Sequence, residues 1–311
     1  MKDKERLQQV VNSILDSYHQ HPDMVRVGKT TLPTREDIVN LVKDIQMLIF
    51  PGFIRQEPLG SLDLPYIIGQ KTVSIFKRLQ SYMEQVLCWE IAQDGANCYD
   101  NPSFAKRVEG IAIEFLELIP DLRDVLARDI DAIYDGDPAA RSKQEIVLGY
   151  PGIRALSVHR ISHFFYERKI PLLPRIMSEH IHSQTGIDIN PGAEIGEGMM
   201  IDHGTGVVIG ETAVIGKHVR VYQGVTIGAL SPTRNANAFK AKRHPTIQDN
   251  VVIYAGATIL GGDTVVGANS IIGGNVWLTH SVPPNSRVLW EPKTNKQSVC
   301  DEEMMLCPDV V

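Results

Sequence analysis

The stretch Asp188-Ile189-Asn190-Pro191-Gly192-Ala193-Glu194-Ile195-Gly196-Glu197-Gly198-Met199-Met200-Ile201-Asp202-His203 reads in sixes. Ile189, Ile195, Ile201 and Val207 are six apart, and Ile209, Ile215, Val221 and Ile227 carry the beat on, two residues out of phase. After an interruption it resumes at Ile247, Ile253, Ile259, Val265, Ile271 and Trp277. Small or β-branched residues often stand two places earlier (Ala193, Ala213, Val219, Val225, Val251, Ala257), and glycine follows at Gly196, Gly210, Gly216 and Gly228. An amphipathic helix repeats at about 3.6 residues and a strand at about 2, so neither accounts for a period of six. A left-handed parallel β-helix does: each hexapeptide forms one side of a triangular coil, with its branched residue pointing into the prism. Unrelated buried strands would not hold fourteen beats in register from Asp188 to Trp277.

Upstream of the beat the periodicity is helical. Thr34 precedes Arg35-Glu36-Asp37, and Ile38, Leu41, Val42, Ile45, Leu48 and Ile49 make one stripe, which is an N-cap followed by an amphipathic helix ending near Pro51-Gly52. Further helices are expected over 5–18, 64–93, 103–118, 121–133 and 153–167, with a short one after Pro174. The fold class is therefore α+β: an all-helical N-terminal domain (1–185), then a left-handed β-helix (186–290) with an excursion over 229–243, then a tail (291–311). The helical block would cap the open end of the prism, where a coil's worth of backbone is otherwise exposed. Asp137-Pro138 reads as a turn, because the residue before proline disfavours helix. Arg154, His159, Arg160 and His163 are assigned no chemistry.

Composition narrows the class. The 311 residues are 43% hydrophobic and 22% charged, as in globular proteins, and the net charge of −6 argues against nucleic-acid binding. Cys88, Cys98, Cys300 and Cys307 have no CxxC spacing and read as free thiols of a reducing compartment. The N-terminus has no apolar signal core, and no apolar run nears the ~20 residues of a membrane span, so a cytoplasmic, membrane-free protein is expected.

The chemistry is expected where the rhythm fails. Asp202-His203 follows the inward Ile201 and should project from a coil edge, where an imidazole can take a proton from an alcohol. Asp188 lies 15 residues earlier, nearly one coil, and is a candidate to hold the other ring nitrogen. The loop returns through Arg243-His244-Pro245, a fixed cation suited to a carboxylate. Together these residues describe an alcohol-activating site for a small zwitterion. A zinc site on His203, His218 and His244 is disfavoured by their spacings of 15 and 26, so no metal is expected.

At these residues the chain resembles the serine O-acetyltransferases of the hexapeptide-repeat acyltransferase superfamily. The likeness rests on Asp137-Pro138-Ala139, Gly186-Ile187-Asp188-Ile189-Asn190-Pro191, Asp202-His203-Gly204-Thr205-Gly206, Gly210-Glu211-Thr212-Ala213 and Arg243-His244-Pro245. It implies acetyl transfer from acetyl-CoA, a co-substrate and not a tightly bound cofactor, to the hydroxyl of L-serine, a step of cysteine synthesis. It also implies His203 as general base with Asp188 as its partner, Asp137 and Asp202 on the serine ammonium, and Arg243 and His244 on its carboxylate and hydroxyl region. Gly228, Ala255, Gly256, Ala257 and Gly274 would receive CoA, with Lys240 and Lys242 as candidate phosphate contacts. A threefold homo-oligomer, trimer or dimer of trimers, is implied as well. Many members end in an isoleucine that docks into O-acetylserine sulfhydrylase, and here Val311 stands in that place. The chain departs from the family in its longer loop before Arg243, and in Asn285-Ser286-Arg287-Val288 where many members have Gly-Val-Pro-Ala. The adenine end of CoA is thus unassigned. The competing readings are a hexapeptide acetyltransferase for another hydroxyl acceptor and a non-catalytic scaffold.

Overall fold

The computed structural model describes residues 2–25, 32–54, 60, 62–230 and 241–289. They fall into two compact units: Met1–Ile119 with Phe164–Met177, and Pro120–His163 with Ser178–Val311.

The first unit is helical, with α1 (Lys2–Gln20), α2 (Arg35–Ile49), α3 (Leu64–Gln93) and α4 (Phe104–Glu117). Thr34 caps α2 reciprocally with Asp37, each side chain accepting from the other's backbone N–H, so two orphan donors of the first turn are satisfied. The expected stripe faces inward, with Ile38, Leu41 and Ile45 fully buried. Asp44 on α2 accepts from Lys71 Nζ at 2.6 Å and from Arg78, tying α2 to α3. Phe115 packs against Phe164 and Phe165, with ring centroids at 5.2 and 4.8 Å. One expectation is overturned here. Cys88 and Cys98, ten residues apart, form a disulfide and are not free thiols, because the end of α3 and the turn Cys98–Asp100 bring them face to face. Cys300 and Cys307 lie outside the described residues.

The second unit holds most of α5 (Ile119–Gly136), α6 (Lys143–Gly149), most of α7 (Pro151–Glu167, up to His163), the part of α8 (Leu173–Thr185) from Ser178 on, and then the β-helix. Helix α6 was not expected, although its signal is present: Ser142 accepts from Glu145 N, and Glu145 accepts from Arg141 N. The strands come in coils. They are β1 (Asp188–Ile189), β2 (Glu194–Ile195) and β3 (Met200–Ile201); β4 (Val208–Ile209), β5 (Val214–Ile215) and β6 (Arg220–Val221); β7 (Thr226–Gly228), β8 (Thr246–Ile247) and β9 (Val252–Ile253); β10 (Thr258–Leu260), β11 (Val265–Val266) and β12 (Ile271–Ile272); β13 (Trp277–Leu278) and β14 (Arg287–Val288). Strands of equal position stack in parallel into three faces: β1-β4-β7-β10-β13 (face one), β2-β5-β8-β11 (face two) and β3-β6-β9-β12-β14 (face three). This is the left-handed β-helix expected. The loop 229–243 leaves between β7 and β8, and of it residues 231–240 lie outside the described set.

The register corrects the beat in two places. Val207 is no inward strand residue; it is a buried corner residue two places before Ile209, the position held elsewhere by Ala213 and Val225. Beyond Leu260 the inward set is Val266, Ile272 and Leu278, paired with Ile247, Ile253 and Ile259, so Val265, Ile271 and Trp277 face outward. The cause is one extra residue at the Gly261-Gly262 corner, since a slip of one residue turns a strand over. Trp277 is accordingly 69% exposed.

The helical part of this unit is fastened to the first coil by a buried ion pair. Arg160 on α7 donates to both carboxylate oxygens of Asp129 on α5, at 2.8 and 2.9 Å, and to the carbonyls of Ile195 and Gly196. Asp129 is fully buried and also accepts from Met199 N at 2.9 Å. Burial pushes its pKa up, while the Arg160 guanidinium and the backbone donors pull it back. Asp129→Ala is expected to destabilise the protein by about 3–5 kcal/mol, because it leaves a buried guanidinium without its partner; urea unfolding followed by circular dichroism measures this.

Candidate functional site

The phase slip seen in the sequence is a longer corner. Between β3 and β4 the chain spends residues 202–207, whereas between β6 and β7 it spends only 222–225. The surplus is taken up around His203, whose φ of 55° is left-handed, a conformation uncommon for residues with a side chain. Asp202 holds it there: its Oδ1 accepts from His203 N at 2.9 Å, and its carbonyl accepts from Gly204 N at 2.6 Å. The His203 side chain is thereby thrown outward, 71% exposed, with Nε2 at 3.7 Å from Asp202 Oδ2. A strained backbone carrying an exposed imidazole beside a carboxylate is the kind of feature that marks functional sites.

A second carboxylate faces the same edge. Asp137, just beyond the end of α5, accepts from Ala139 N at 2.8 Å and from the Tyr150 hydroxyl at 2.6 Å. The Tyr150 phenol, then the Ala139 N–H, hold the Asp137 carboxyl below its ordinary range, and His203 adds to this electrostatically. Tyr150 is in turn pushed up to about 12, first by its bond to Asp137, with Asp202 contributing. Asp137, Tyr150, Asp202 and His203 therefore share one electrostatic neighbourhood, which is acidic and suited to a cation. Asp188 opens β1 on the face next to this edge, half-buried, and its carboxylate makes no hydrogen bond to His203. Within the chain the ring's acidic neighbour is Asp202.

Arg243 and His244 are not at this edge. Asp202 and His203 lie between faces three and one, and Arg243 and His244 lie between faces one and two, where the loop re-enters at β8. The Gly210-Glu211-Thr212-Ala213 motif explains how they are held. Thr212 Oγ1 accepts from Arg243 N at 2.9 Å and His244 N at 3.1 Å, while Thr212 N donates to His244 Nδ1 at 3.0 Å. Glu211 pairs with the Arg243 guanidinium. A Cβ at Gly210 would run into the His244 ring. With Nδ1 accepting, neutral His244 carries its proton on Nε2. Burial, then the Arg243 charge, lower its pKa to about 4. Lys242 donates to Thr212 O at 2.9 Å, so this candidate phosphate contact is engaged inside the chain, and Lys240 lies outside the described residues.

The candidate CoA residues divide likewise. Ala255, Gly256 and Ala257 stack above the His203 corner: Gly224 N donates to Thr205 O, Gly256 N to Gln223 O, and Asn275 N to Ala255 O. Gly274 comes next, packed against the Ala255 carbonyl, while Gly228 closes β7. Ala257 is fully buried and both its backbone groups serve the coil. His203, His218 and His244 stand on three different edges, and among the described residues no metal-holding cluster of His, Cys, Asp or Glu is found. No helix of the described residues is long and apolar enough to cross a membrane. Glu211 and Thr212 stand in a motif quoted for the resemblance but were given no role there, and Tyr150 is a supporting residue that sequence reasoning missed. Tyr150 acts across α6, so no local spacing announces it.

No family model matches the chain. A plasmid-encoded serine acetyltransferase from Synechococcus elongatus is 43% identical over 258 residues, covering 82% of this chain and 81% of the relative. A serine acetyltransferase from Bacillus subtilis is 48% identical over 168 residues, 54% of this chain and 74% of the relative. Among solved structures, serine acetyltransferase 1 of Entamoeba histolytica in complex with L-cysteine matches with TM-score 0.66 and 30% identity, over 91% of this chain and 99% of that one. The Neisseria gonorrhoeae serine acetyltransferase in complex with serine matches with TM-score 0.53 and 26% identity, over 84% and 97%.

The depressed pKa of His244 has a consequence for stability. Above about pH 6.5 it is neutral in both folded and unfolded chains; as pH falls towards about 4 the unfolded chain takes up a proton that the folded one refuses. His244 thus weakens the fold across that window. His244→Gln is expected to flatten the decline of the urea midpoint between pH 6.5 and 4 relative to the parent protein.

Proposed function

The chain belongs to the serine acetyltransferase family, and from that premise we propose how its residues carry the reaction. The enzyme transfers the acetyl group of acetyl-CoA to the hydroxyl of L-serine, giving O-acetyl-L-serine and CoA, a step of cysteine synthesis. In our reading His203 is the general base. It takes the serine proton as the oxygen attacks the thioester carbonyl directly, and returns it to the departing CoA sulfur, so no acyl-enzyme forms. Asp137 and Asp202 receive the serine ammonium; Tyr150 keeps Asp137 ionised for that task. Asp188, whose carboxylate lies uncommitted beside the His203 corner, is the partner for the imidazolium once the ring turns from Asp202. Proton transfer of this kind contributes ~10²–10⁴ in rate, and holding both reactants in place contributes more. The observation that carries this reading is the left-handed His203 corner with Asp202 beneath it and Asp137 facing it.

Arg243 and His244, fixed on another edge, would hold the serine carboxylate and hydroxyl region from a neighbouring copy. A cyclic trimer that sets the His203 edge of one prism against the Arg243 edge of the next would close three identical sites. The donor would then lie along the edge above His203, past Ala255, Gly256 and Gly274. Residues 1–185 are proposed to serve oligomerisation. The tail 291–311, outside the described residues, is proposed to present Val311 to O-acetylserine sulfhydrylase. Cytoplasmic residence belongs to the same reading, since free acetyl-CoA is the co-substrate.

His203→Ala should lower kcat at least a hundredfold in a thiol-release assay with L-serine, with acetyl-CoA binding by calorimetry unchanged; a kcat within threefold of the parent would reject the base. Mixing tests the shared site. His203→Ala and Arg243→Ala proteins, each impaired alone, should regain activity when denatured and refolded together, because some sites then combine two intact edges. If the mixture stays as inactive as its components, the site is complete within one chain.

A further inference from the structure

We propose that Tyr222, braced by Tyr254, is the wall that fixes the length of the acceptor. The proposal rests on the serine-acetylating reading above, and adds a residue to which neither the motifs nor that reading gave a role. Tyr222 directly follows β6, one coil above Asp202: Met200 and Ile201 pair with Arg220 and Val221, so Asp202 and Tyr222 are neighbours in the same column. Neighbouring strands of such a ladder are about 4.8 Å apart, close enough for a ring at one level to roof a group bound at the next. The electrostatics agree with that placement. The Tyr222 hydroxyl is shifted upward by burial first, and then by Asp202, Tyr254 and Asp137, with Arg220 opposing. Its ring therefore shares the acidic neighbourhood in which an ammonium would sit. The remaining charges there belong to Asp137, Asp202, His203 and Arg220, whose guanidinium carbon lies 3.8 Å from where a Cβ at Gly136 would stand.

The ring is also held still. Tyr254, one coil higher in the same column, stacks on it with centroids at 5.3 Å and planes 10° apart. Swinging Tyr222 out of the pocket would break that stack and expose a half-buried ring. Tyr254 itself is 44% exposed, so its place is the outer side of the brace. Tyr254 leads directly into the Ala255-Gly256 corner, along which the acyl donor is placed, so the pair links the acidic level to the donor edge. On this proposal an acceptor anchored by its ammonium to Asp137 and Asp202 fits a one-carbon hydroxymethyl arm beneath the ring. A two-carbon arm, as in L-homoserine, would have to push Tyr222 against Tyr254. Steric discrimination against one methylene is commonly worth ~10–200-fold.

The test compares kcat/KM for L-serine and L-homoserine at saturating acetyl-CoA in the full-length parent, Tyr222→Leu, Tyr222→Phe and Tyr254→Ala. Tyr222→Leu should lower the serine-to-homoserine ratio about tenfold or more, with the acetyl-CoA KM unchanged. Tyr222→Phe, which keeps the ring and loses the hydroxyl, should retain the parent ratio. Tyr254→Ala, which leaves the pocket lining intact and removes the brace, should lower the ratio part of the way, and it decides the matter if Tyr222→Leu does not fold. An unchanged ratio in both Tyr222→Leu and Tyr254→Ala overturns the proposal. So does a rise in acetyl-CoA KM with the acceptor ratio unmoved, which would make the pair a donor contact. A parent protein that releases no thiol with L-serine would instead sink the reading of the reaction itself, an outcome distinct from any change in ratio.

Discussion

The structure depends on the parallel ladder between successive coils. Each inward residue is stacked on its counterpart one turn below, as Ile189, Ile209, Ile227, Ile259 and Leu278 are on face one. The interior of so narrow a prism admits one branched side chain per side per coil, and tight packing forbids drift. Extra residues can therefore be absorbed only at corners or expelled as loops. Two extra residues at 202–207 become the His203 corner, one at Gly261-Gly262 becomes a register shift, and a longer insertion after Gly228 becomes the loop that returns Arg243 and His244. The rigidity of the prism confines each insertion to a corner at a fixed height and edge.

That constraint sorts the polar groups. On the His203 edge the side chains are exposed or half-buried and acidic, with Asp137 held ionised by Tyr150. On the Arg243 edge the opposite treatment applies: Thr212 clamps both backbone donors of the returning loop, and burial keeps His244 neutral. One edge offers carboxylates beside an exposed imidazole, the other a fixed guanidinium and an Nε2–H donor. A zwitterionic amino acid needs both kinds of edge, and a single prism sets them a full face apart. In the proposed trimer, assembly around a threefold axis brings them together.

The ion pair of Arg160 with Asp129 belongs to the same logic. It sits where the helical segment meets the first coil, and Asp129 supplies an acceptor for Met199 N, a backbone donor at the end of the prism. Arg160, assigned no chemistry from the sequence, and Asp129 thus complete the hydrogen bonding of the coil beside them. Position on α7 told nothing of this, because the partner strand lies 35 residues away.

Much was legible before any coordinates. The period of six by itself determined the β-helix, because no other regular backbone repeats with that spacing. The breaks in the period pointed to Asp202-His203 and to Arg243-His244. Thr34 as N-cap marked the start of α2, and the same kind of signal at Ser142 was there for α6. What the sequence could not decide was anything that depends on which corner absorbs an insertion. The outward turn of Trp277, the contact of Tyr150 with Asp137, the disulfide between Cys88 and Cys98 and the separation of His203 from Arg243 were decided by the tertiary structure alone. The physical reason is that periodicity reports which residues face inward while the count holds. Contacts across coils, helices and edges depend on where the chain has gone by the time it returns.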